Sequence, residues 1–303
     1  MRVVWKIVKR NALNYLYDKT SIFFSFLSVL IIIFLYVAFL GELQASDVSE
    51  MMRQVAESVP GAVVPSDEAS RFLVNTWLLA GIITVNSITV PLSILSNMID
   101  DLENKTINDF LTAPISRGQI VLGYLIASWI LGIILSLFTL TISQIYIVMT
   151  GGQMMDVIMF IKSFLIIILS VISFSSISFF VLSFVKSVST VGVINTLVGT
   201  LIGFLAGIYM PIGIFGKGIQ YIIKLNPAAH AAVIFRQVFM TDSLKEVFGS
   251  APASVADTYK LMYGVEMELF GREISPIVMI LYLIGITLLF FGLSVYRLSR
   301  LKR

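Results

Sequence analysis

The stretch FLVNTWLLAGIITVNSITVPLSILSNMI (residues 72–99) has no charged side chain, and DDLENKTINDFLTAPISRGQ (residues 100–119) follows it directly. A membrane-spanning helix needs about 20 mostly apolar residues, so the first stretch is long enough to be one. The second stretch has four acidic and two basic side chains and a proline, and another apolar run begins at residue 120. The two stretches together predict two spans joined by a structured polar segment.

The composition of the whole chain is that of a membrane protein. Its 303 residues are 57% hydrophobic and 13% charged, with a mean hydropathy of +0.94, whereas soluble domains are about 25% charged. The sequence has no cysteine and a single histidine, His230. This excludes disulfides and thiolate metal sites and removes most acid–base constellations. We therefore predict neither a catalytic site nor a metal site.

Six segments are long and apolar enough to span a membrane, and none has Asp, Glu, Lys or Arg in its interior. Basic residues cluster before the first segment and after the last, which predicts that both termini are cytoplasmic. The predicted fold is an all-α polytopic membrane protein with one transmembrane domain, residues 1–303. The predicted spans are 21–40, 72–99, 120–149, 163–185, 188–211 and 275–296, and the predicted extracytoplasmic segments are 41–71 and 212–274.

Residues 1–19 have the pattern of a helix that lies in the cytoplasmic membrane interface, with one apolar and one basic side. The apolar side consists of Val4, Trp5, Val8, Ala12, Tyr15 and Leu16, and the polar side of Lys6, Lys9, Arg10 and Asn14. An equally good interpretation is that the basic residues are only the positive flank of the first span.

The polar segment 100–119 has the signals of a short helix with defined ends. Ile107, Phe110 and Leu111 are spaced i, i+3 and i+4, which gives one apolar face. Pro114 ends this helix, and Ser116 with a glutamine three residues later forms a capping box that begins the third span. A flexible linker needs none of these features. We expect a rigid helix, which suits the transmission of a push from a docked partner.

The chain after the fifth predicted span alternates apolar pieces with helix-breaking residues. Two apolar pieces follow Pro211, separated by Asn226 and Pro227, and each is too short to span. Broken backbone at membrane depth is tolerated only where protein or a water-filled cavity covers it. We predict two short helices that re-enter from the outside, the second capped by Asn226 with Pro227 at its first position.

The predicted spans also restrict the class of protein. Ion-coupled carriers and membrane enzymes keep ionisable groups at membrane depth, and the six predicted spans have none in their interiors. A self-contained carrier or membrane enzyme is therefore disfavoured. If the chain moves a substrate, we expect another chain to supply the energy.

The stretch DLENKTINDFLTAPISRGQIVLGYLIA (residues 101–127) resembles the segment after the second span in permease subunits of type-2 ABC exporters, the ABC-2 type transporter family. In that family this segment is the coupling helix that docks into the ATP-binding subunit. Lys105 stands where the family often has glycine. By this resemblance the ATPase-coupling residues are Asp101, Glu103, Thr106, Ile107, Phe110, Leu111, Pro114 and Arg117.

The stretches GIYMPIG (residues 207–213) and NPAAHAAVIFRQVF (residues 226–239) also resemble this family. They match its Gly-x-x-x-Pro ending of the fifth span and its re-entrant outer helices. The resemblance covers nearly the whole chain in order and topology. It assigns the re-entrant or gate positions to Gly207, Pro211, Asn226, Pro227 and Arg236.

The resemblance implies the membrane subunit of an ATP-driven exporter in the plasma membrane of a bacterium. It implies a homodimer or heterodimer of such subunits with two separate ATP-binding subunits, which bind ATP and Mg; the chain has no ATPase motif, and no nucleic acid is involved. The candidate substrate pathway is lined by Asn75, Asn86, Asn97, Asn195 and Thr196. Each of these residues could equally form a hydrogen bond between helices.

An uncharged pathway favours a hydrophobic or amphipathic substrate such as a drug, a lipid or an antimicrobial peptide, and hence a role in multidrug or antimicrobial resistance. One alternative is an exporter of lipid-linked polysaccharide with the same architecture, which the two large outer segments disfavour. Another is a membrane sensor or scaffold for peptide antibiotics that transports nothing.

Overall fold

The computed structural model describes residues 2–299, except the side chains of residues 24, 25, 28, 32, 37, 38, 111, 298 and 299. The described chain is mostly helical. Its helices are α1 (Arg2–Tyr17), α2 (Lys19–Leu35), α3 (Gly41–Ser58), α4 (Asp67–Leu95), α5 (Asn97–Glu103), α6 (Ile107–Thr112), α7 (Arg117–Met149), α8 (Val157–Leu182), α9 (Val188–Leu205), α10 (Lys217–Leu225), α11 (Pro227–Phe239), α12 (Thr241–Phe248), α13 (Ala253–Tyr263) and α14 (Pro276–Ser299).

Five helical segments of the described chain are long and apolar enough to cross a membrane, which confirms an all-α polytopic membrane protein. They are Asp67–Glu103, Arg117–Met149, Val157–Leu182, Val188–Leu205 and Pro276–Arg297. The first predicted span, 21–40, falls on α2, which has 17 residues and passes through a π-helical turn, Tyr36–Leu40, into α3. That span stays a prediction.

The fifth predicted span, 188–211, is too long. Helix α9 ends at Leu205, because Gly207 has a left-handed backbone (φ 64°) that an α-helix cannot contain. A single 3₁₀ turn, Ile212–Ile214, follows Pro211 before α10 begins. Apolar residues continue through this break, which is why hydropathy alone extended the span.

Helix α4 is the centre of the bundle and is buried along nearly its whole length. It packs against α2, α3, α7, α8 and α11. Its hydroxyl side chains hydrogen-bond within the helix, as Thr84 does to the carbonyl of Ala80 and Ser87 to that of Ile83. An apolar sequence on all sides of a helix is typical of such a central position.

The bundle has two ends. The α6 end includes α1, α5, α6 and the beginning of α7, and the α12 end includes α3 and α10 to α13. At the α12 end a short antiparallel hairpin pairs β1 (Glu268–Leu269) with β2 (Arg272–Glu273). Its turn residues, Phe270 and Gly271, both have positive φ, as a two-residue hairpin turn requires. The all-α prediction omitted this hairpin.

Helix α1 lies along α7 at the α6 end. The approach is close: a Cβ added at Gly123 would lie 2.5 Å from the Ile7 side chain. Of the predicted apolar side, Val4, Val8 and Tyr15 are buried against the bundle. Trp5 and Leu16 were predicted on the same face but are exposed, because contact with α7 centres the buried face on Ile7 instead; burial also extends to Asn11.

Candidate functional site

The predicted segment between α5 and α7 has the expected ends. Helix α6 stops at Thr112, and Ala113 before Pro114 is extended, because proline disfavours helical backbone in the residue before it. The capping box that begins α7 is confirmed: Ser116 Oγ accepts from the Gln119 amide at 3.3 Å, and Gln119 Oε1 accepts from the Ser116 amide at 2.9 Å. The turn from α6 into α7 is therefore fixed by local hydrogen bonds.

Helix α6 is packed on the bundle through its apolar side. Ile107 is 5% exposed, and the Phe110 ring is half-buried with the Arg10 guanidinium 5.3 Å from its centroid. The side chain of Leu111 lies outside the described part of the structure. The polar residues Asn108, Asp109 and Thr112 are exposed. The helix thus presents a polar surface to whatever lies beyond the α6 end.

The predicted coupling residue Asp101 lies inside the bundle, and its part in coupling stays a prediction. Its carboxylate is buried and forms an ion pair with both terminal nitrogens of Arg10, one of them 2.7 Å from Oδ2. The buried Tyr124 hydroxyl donates to the same carboxylate oxygen. The Asp101 carboxylate therefore connects α1, α5 and α7 and fixes the positions of these three helices relative to one another.

Glu103 also has an internal contact. Its Oε2 accepts a hydrogen bond of 2.7 Å from the backbone amide of Val188, the first residue of α9. A carboxylate at a helix N-terminus is favoured by the unpaired amides and the helix dipole. Since the rest of the Glu103 side chain is exposed, this contact links the end of α5 to the beginning of α9 at the protein surface.

The other predicted coupling residues lie around α6. Thr106 precedes the helix without a side-chain cap, Pro114 is exposed, and Arg117 is half-buried at the first position of α7. Lys105 has a left-handed backbone with φ 60°. That conformation strains a residue with a Cβ and suits glycine.

At the α12 end the predicted gate residues Gly207 and Arg236 come together. Arg236 is fully buried. Its guanidinium donates to the carbonyl oxygens of Ala206 (2.8 Å) and Gly207 (2.7 Å) after α9, and of Gly264 (3.2 Å) after α13. The Trp77 ring of α4 lies 5.1 Å from the same guanidinium. One side chain on α11 thus joins the ends of α9 and α13 to the central helix.

The start of α11 has the predicted cap. The Asn226 side chain accepts from the Ala228 amide at 2.8 Å, and Pro227 occupies the first position. Pro211 precedes the 3₁₀ turn. The pair of short helices α10 and α11 is therefore confirmed as secondary structure, and their re-entry into a membrane stays a prediction.

The five predicted pathway residues separate into two groups. Three are occupied by hydrogen bonds between helices: Asn75 donates to Thr150 Oγ1, Asn86 to Thr139 Oγ1, and Asn97 to the carbonyl of Asn11. The other two, Asn195 and Thr196, line a groove of about 620 Å³ between α2, α9 and the junction of α4 with α5. Asn195 and Thr196 therefore line the groove, whereas Asn75 borders a separate, smaller cavity of about 280 Å³ beside Tyr36 and Arg71.

The groove along α9 is neutral among the described residues. Leu27 and Ile31 of α2 contribute apolar surface, and no charged side chain lines it. The hydroxyl and amide groups come from Thr20, Ser21, Ser93, Ser96, Asn195, Thr196, Thr200 and Tyr209. Such a lining can contact an uncharged or amphipathic molecule, or a second helix, with weak hydrogen bonds and apolar surface.

Sequence reasoning missed Arg10, Tyr124 and Trp77. A signal for the first two was present, because Asp101 follows a long apolar run at the end of a predicted span and a carboxylate there needs a partner. Nothing in the local sequence indicated which residues would supply it.

The family model described as "ABC-2 type transporter" matches residues 2–240. The match includes α1, the segment with α5 and α6, the groove residues of α9, and Arg236. No curated protein matches the chain significantly.

Proposed function

This chain belongs to the ABC-2 type transporter family as a permease subunit, and from that premise we propose that it is the membrane subunit of an ATP-driven exporter. It moves a hydrophobic or amphipathic substrate out of the cytoplasm or the inner leaflet. Two permease subunits, this chain with a second copy or a related chain, work with two separate ATP-binding subunits that bind ATP and Mg. The complex lies in a bacterial plasma membrane with both termini of this chain in the cytoplasm.

The observation that carries this proposal is the attachment of α6 to the bundle. Phe110 of α6 lies under Arg10 of α1, which is paired with Asp101 of α5. Glu103, two residues further along α5, caps the first amide of α9. A partner that displaces α6 from its exposed polar side therefore moves α1 as well. The displacement also reaches, through α5, the beginning of α9, which lines the groove.

The groove supports the proposed class of substrate. A charged substrate would need a compensating charge or several strong hydrogen bonds in a dry pathway, and the described lining offers neutral hydroxyl and amide groups beside aliphatic ones. A drug, lipid or antimicrobial peptide with apolar and uncharged polar parts fits this lining better than an ion does.

A sixth span, formed by α2 and the π-helical turn after it, is part of the proposal. Lys19–Leu40 has 22 residues in continuous helical conformation, and at 1.5 Å per residue it extends about 33 Å. That matches a hydrocarbon core of about 30 Å. Its exposed residues include Phe23, Leu30, Ile31 and Phe34, as expected of a surface in contact with lipid.

The test of coupling changes the exposed side of α6 without touching its packed side. Asp109→Arg reverses a charge on that side, and Glu57→Arg makes the same change on exposed α3 at the other end of the bundle. We expect Asp109→Arg to weaken co-purification of the ATP-binding subunit and to reduce ATP-dependent transport, and Glu57→Arg to do neither. Equal behaviour of the two variants would reject α6 as the docking element.

The test of the pathway uses isosteric or near-isosteric changes in the groove. Thr196→Val and Asn195→Leu remove the polar atoms with little change in volume, while Thr141→Val does the same at an exposed position of α7. We expect the groove variants to alter the range of amphipathic dyes exported by the reconstituted complex, with docking unchanged. Unaltered export by both groove variants would contradict a substrate pathway along α9.

A further inference from the structure

A second cavity, of about 460 Å³, lies on the other side of α9 from the groove, between α4, α8, α9 and α14. We call it the lateral cavity. Its deepest residues, Ile88, Leu92 and Phe174, are each at most 5% exposed. No charged side chain lines it among the described residues. An apolar cavity of this size loses packing contacts when empty, so a filled state is favoured.

The two sides of α9 differ in kind. The side toward the groove presents mostly small and polar residues, namely Gly192, Asn195, Thr196, Gly199 and Thr200, with Val188 and Val191 at its beginning. The side toward the lateral cavity presents Ile194, Leu197, Val198, Leu201 and Leu205. Small and polar residues favour close contact with another helix, whereas branched aliphatic side chains are as apolar as lipid tails. The chemistry of the lateral cavity thus favours hydrocarbon over a second protein chain.

The lateral cavity opens toward the surface of the bundle. Val181, Leu197 and Leu201 line it and are 41%, 54% and 53% exposed. All three lie on helices that are candidate membrane spans. An opening there faces the hydrocarbon of the bilayer, so lipid chains are the molecules in reach of it.

The length of the lateral cavity matches one leaflet. Its lining on α9 extends from Ile194 to Leu205, which at 1.5 Å per residue is roughly 16 Å. Half of a hydrocarbon core of about 30 Å is about 15 Å. The end near α10 and α11 has the polar side chains Asn226 and Tyr282, and the Tyr282 hydroxyl donates to the carbonyl of Leu225 at 2.7 Å.

We propose that the lateral cavity binds one acyl chain of a membrane lipid, inserted between α9 and α14 with its polar end toward Asn226 and Tyr282. This lipid site is separate from the groove on the other side of α9. It requires only that the protein is embedded in a bilayer, so it stands whether or not the chain exports a substrate.

The test is photolabelling of the full-length protein in vesicles of unlabelled phosphatidylcholine, doped with phosphatidylcholine that has a diazirine in one acyl chain. Lipid around any membrane protein labels exposed residues such as Leu281 and Leu288. Only an inserted chain can reach Ile88 or Phe174, both 5% exposed or less. We expect labelled peptides from these two buried positions as well as from the exposed ones.

A matched pair of variants on α9 makes the test specific. Leu201→Trp fills the mouth of the lateral cavity, whereas Val193→Trp introduces the same side chain at an exposed residue of α9 that does not line it. We expect loss of labelling at Ile88 and Phe174 in Leu201→Trp and full labelling in Val193→Trp. Leu197→Trp, at another exposed lining residue, should repeat the loss if Leu201→Trp fails to fold.

Three outcomes would overturn the lipid site. One is labelling of Leu281 and Leu288 without any at Ile88 or Phe174. Another is deep labelling that Leu201→Trp and Leu197→Trp leave unchanged. The third is occupation of the cavity by a second copy of the chain. Because the sequence has no cysteine, a Leu201→Cys variant has a single thiol. A disulfide between two such chains, with no labelling at Ile88 or Phe174, would show this outcome.

Discussion

The guanidinium of Arg236 donates a hydrogen bond of 2.7 Å to the carbonyl of Gly207, a residue whose left-handed backbone ends the run of α9. It also reaches the carbonyl of Gly264, a second left-handed glycine, which follows α13. No carboxylate forms an ion pair with Arg236 among the described residues. Its charge is instead stabilised by the carbonyl ends of two helices and by the Trp77 ring.

Arg236→Lys should destabilise the protein although it keeps the charge. A lysine ammonium is a point charge on a flexible stem and cannot reproduce the planar fork that spans three carbonyls. We expect the free energy of unfolding to fall by about 2–3 kcal/mol, since buried carbonyls lose their donors. Thermal unfolding of the purified protein in detergent measures this. The control is Arg53→Lys, because Arg53 is exposed and forms its ion pair with exposed Glu50 on the same helix. Equal shifts for both variants would contradict the role of Arg236.

Asp101→Asn should loosen the α6 end of the bundle. The asparagine side chain lacks the negative charge to which Arg10 and Tyr124 both donate. The Arg10 guanidinium then loses its ion-pair partner. Arg10 is about one-third exposed, so water compensates it in part, and we expect a loss of roughly 1–3 kcal/mol. Asp100→Asn, at the half-buried neighbouring position, is the control. Protease cleavage within α1, followed by mass spectrometry, should rise only for Asp101→Asn.

Lys105→Gly should stabilise the turn between α5 and α6. The left-handed backbone at φ 60° destabilises a residue with a Cβ by about 1–2 kcal/mol. Glycine avoids most of this strain, but its greater conformational freedom in the unfolded chain offsets about 0.5–1 kcal/mol of the gain. We expect a small rise in the midpoint of thermal unfolding. Lys105→Val, with a branched Cβ, should lower it. A decrease with glycine would show that the lysine side chain itself stabilises the turn.

Gly123→Ala should separate α1 from α7. A Cβ at this position would lie 2.5 Å from Cγ2 and 2.8 Å from Cβ of Ile7, and the latter atom cannot move without the α1 backbone. Overpacking of this kind costs about 1–3 kcal/mol. Gly118→Ala is the control on the same helix, because a Cβ there meets open space and alanine favours helix. In an Ile7→Ala background, which removes Cγ2 but keeps Cβ, Gly123→Ala should cost less stability than it does in the unchanged protein. An equal cost in the two backgrounds would argue against contact with the Ile7 side chain as the cause.

Much of the fold could be predicted from local sequence. Long uncharged runs identified the regions of α4, α7, α8, α9 and α14. A helix that crosses the hydrocarbon core needs about 20 mostly apolar residues, and such a run is visible in the sequence. The caps at Ser116 and Asn226 were also predictable, since a capping side chain contacts amides within three residues of itself. The predicted end of α9 was wrong because apolar composition does not reveal a left-handed glycine.

The candidate site was less predictable. Asp101 was predicted as a coupling residue from its place in the segment, but its ion-pair partner, Arg10, is 91 residues away in sequence and could not be predicted. Of five polar residues proposed for the pathway, packing assigns Asn75, Asn86 and Asn97 to contacts within the bundle and leaves Asn195 and Thr196 in the groove. A side chain's type was visible in the sequence, and the surface it faces was not.

The sequence by itself determined that this is a helical membrane protein with a short helix between two long apolar segments, the second of which begins with a capping box. Hydropathy, helix spacing and caps are properties of neighbouring residues. The tertiary structure alone decided that Arg10, Asp101 and Tyr124 meet, that Arg236 joins the ends of α9 and α13, and that α9 has a polar groove on one side and an apolar cavity on the other. These relationships depend on the rotation and register with which distant helices pack. Many different packings satisfy the same local pattern, and only the summed contacts of the folded bundle select one.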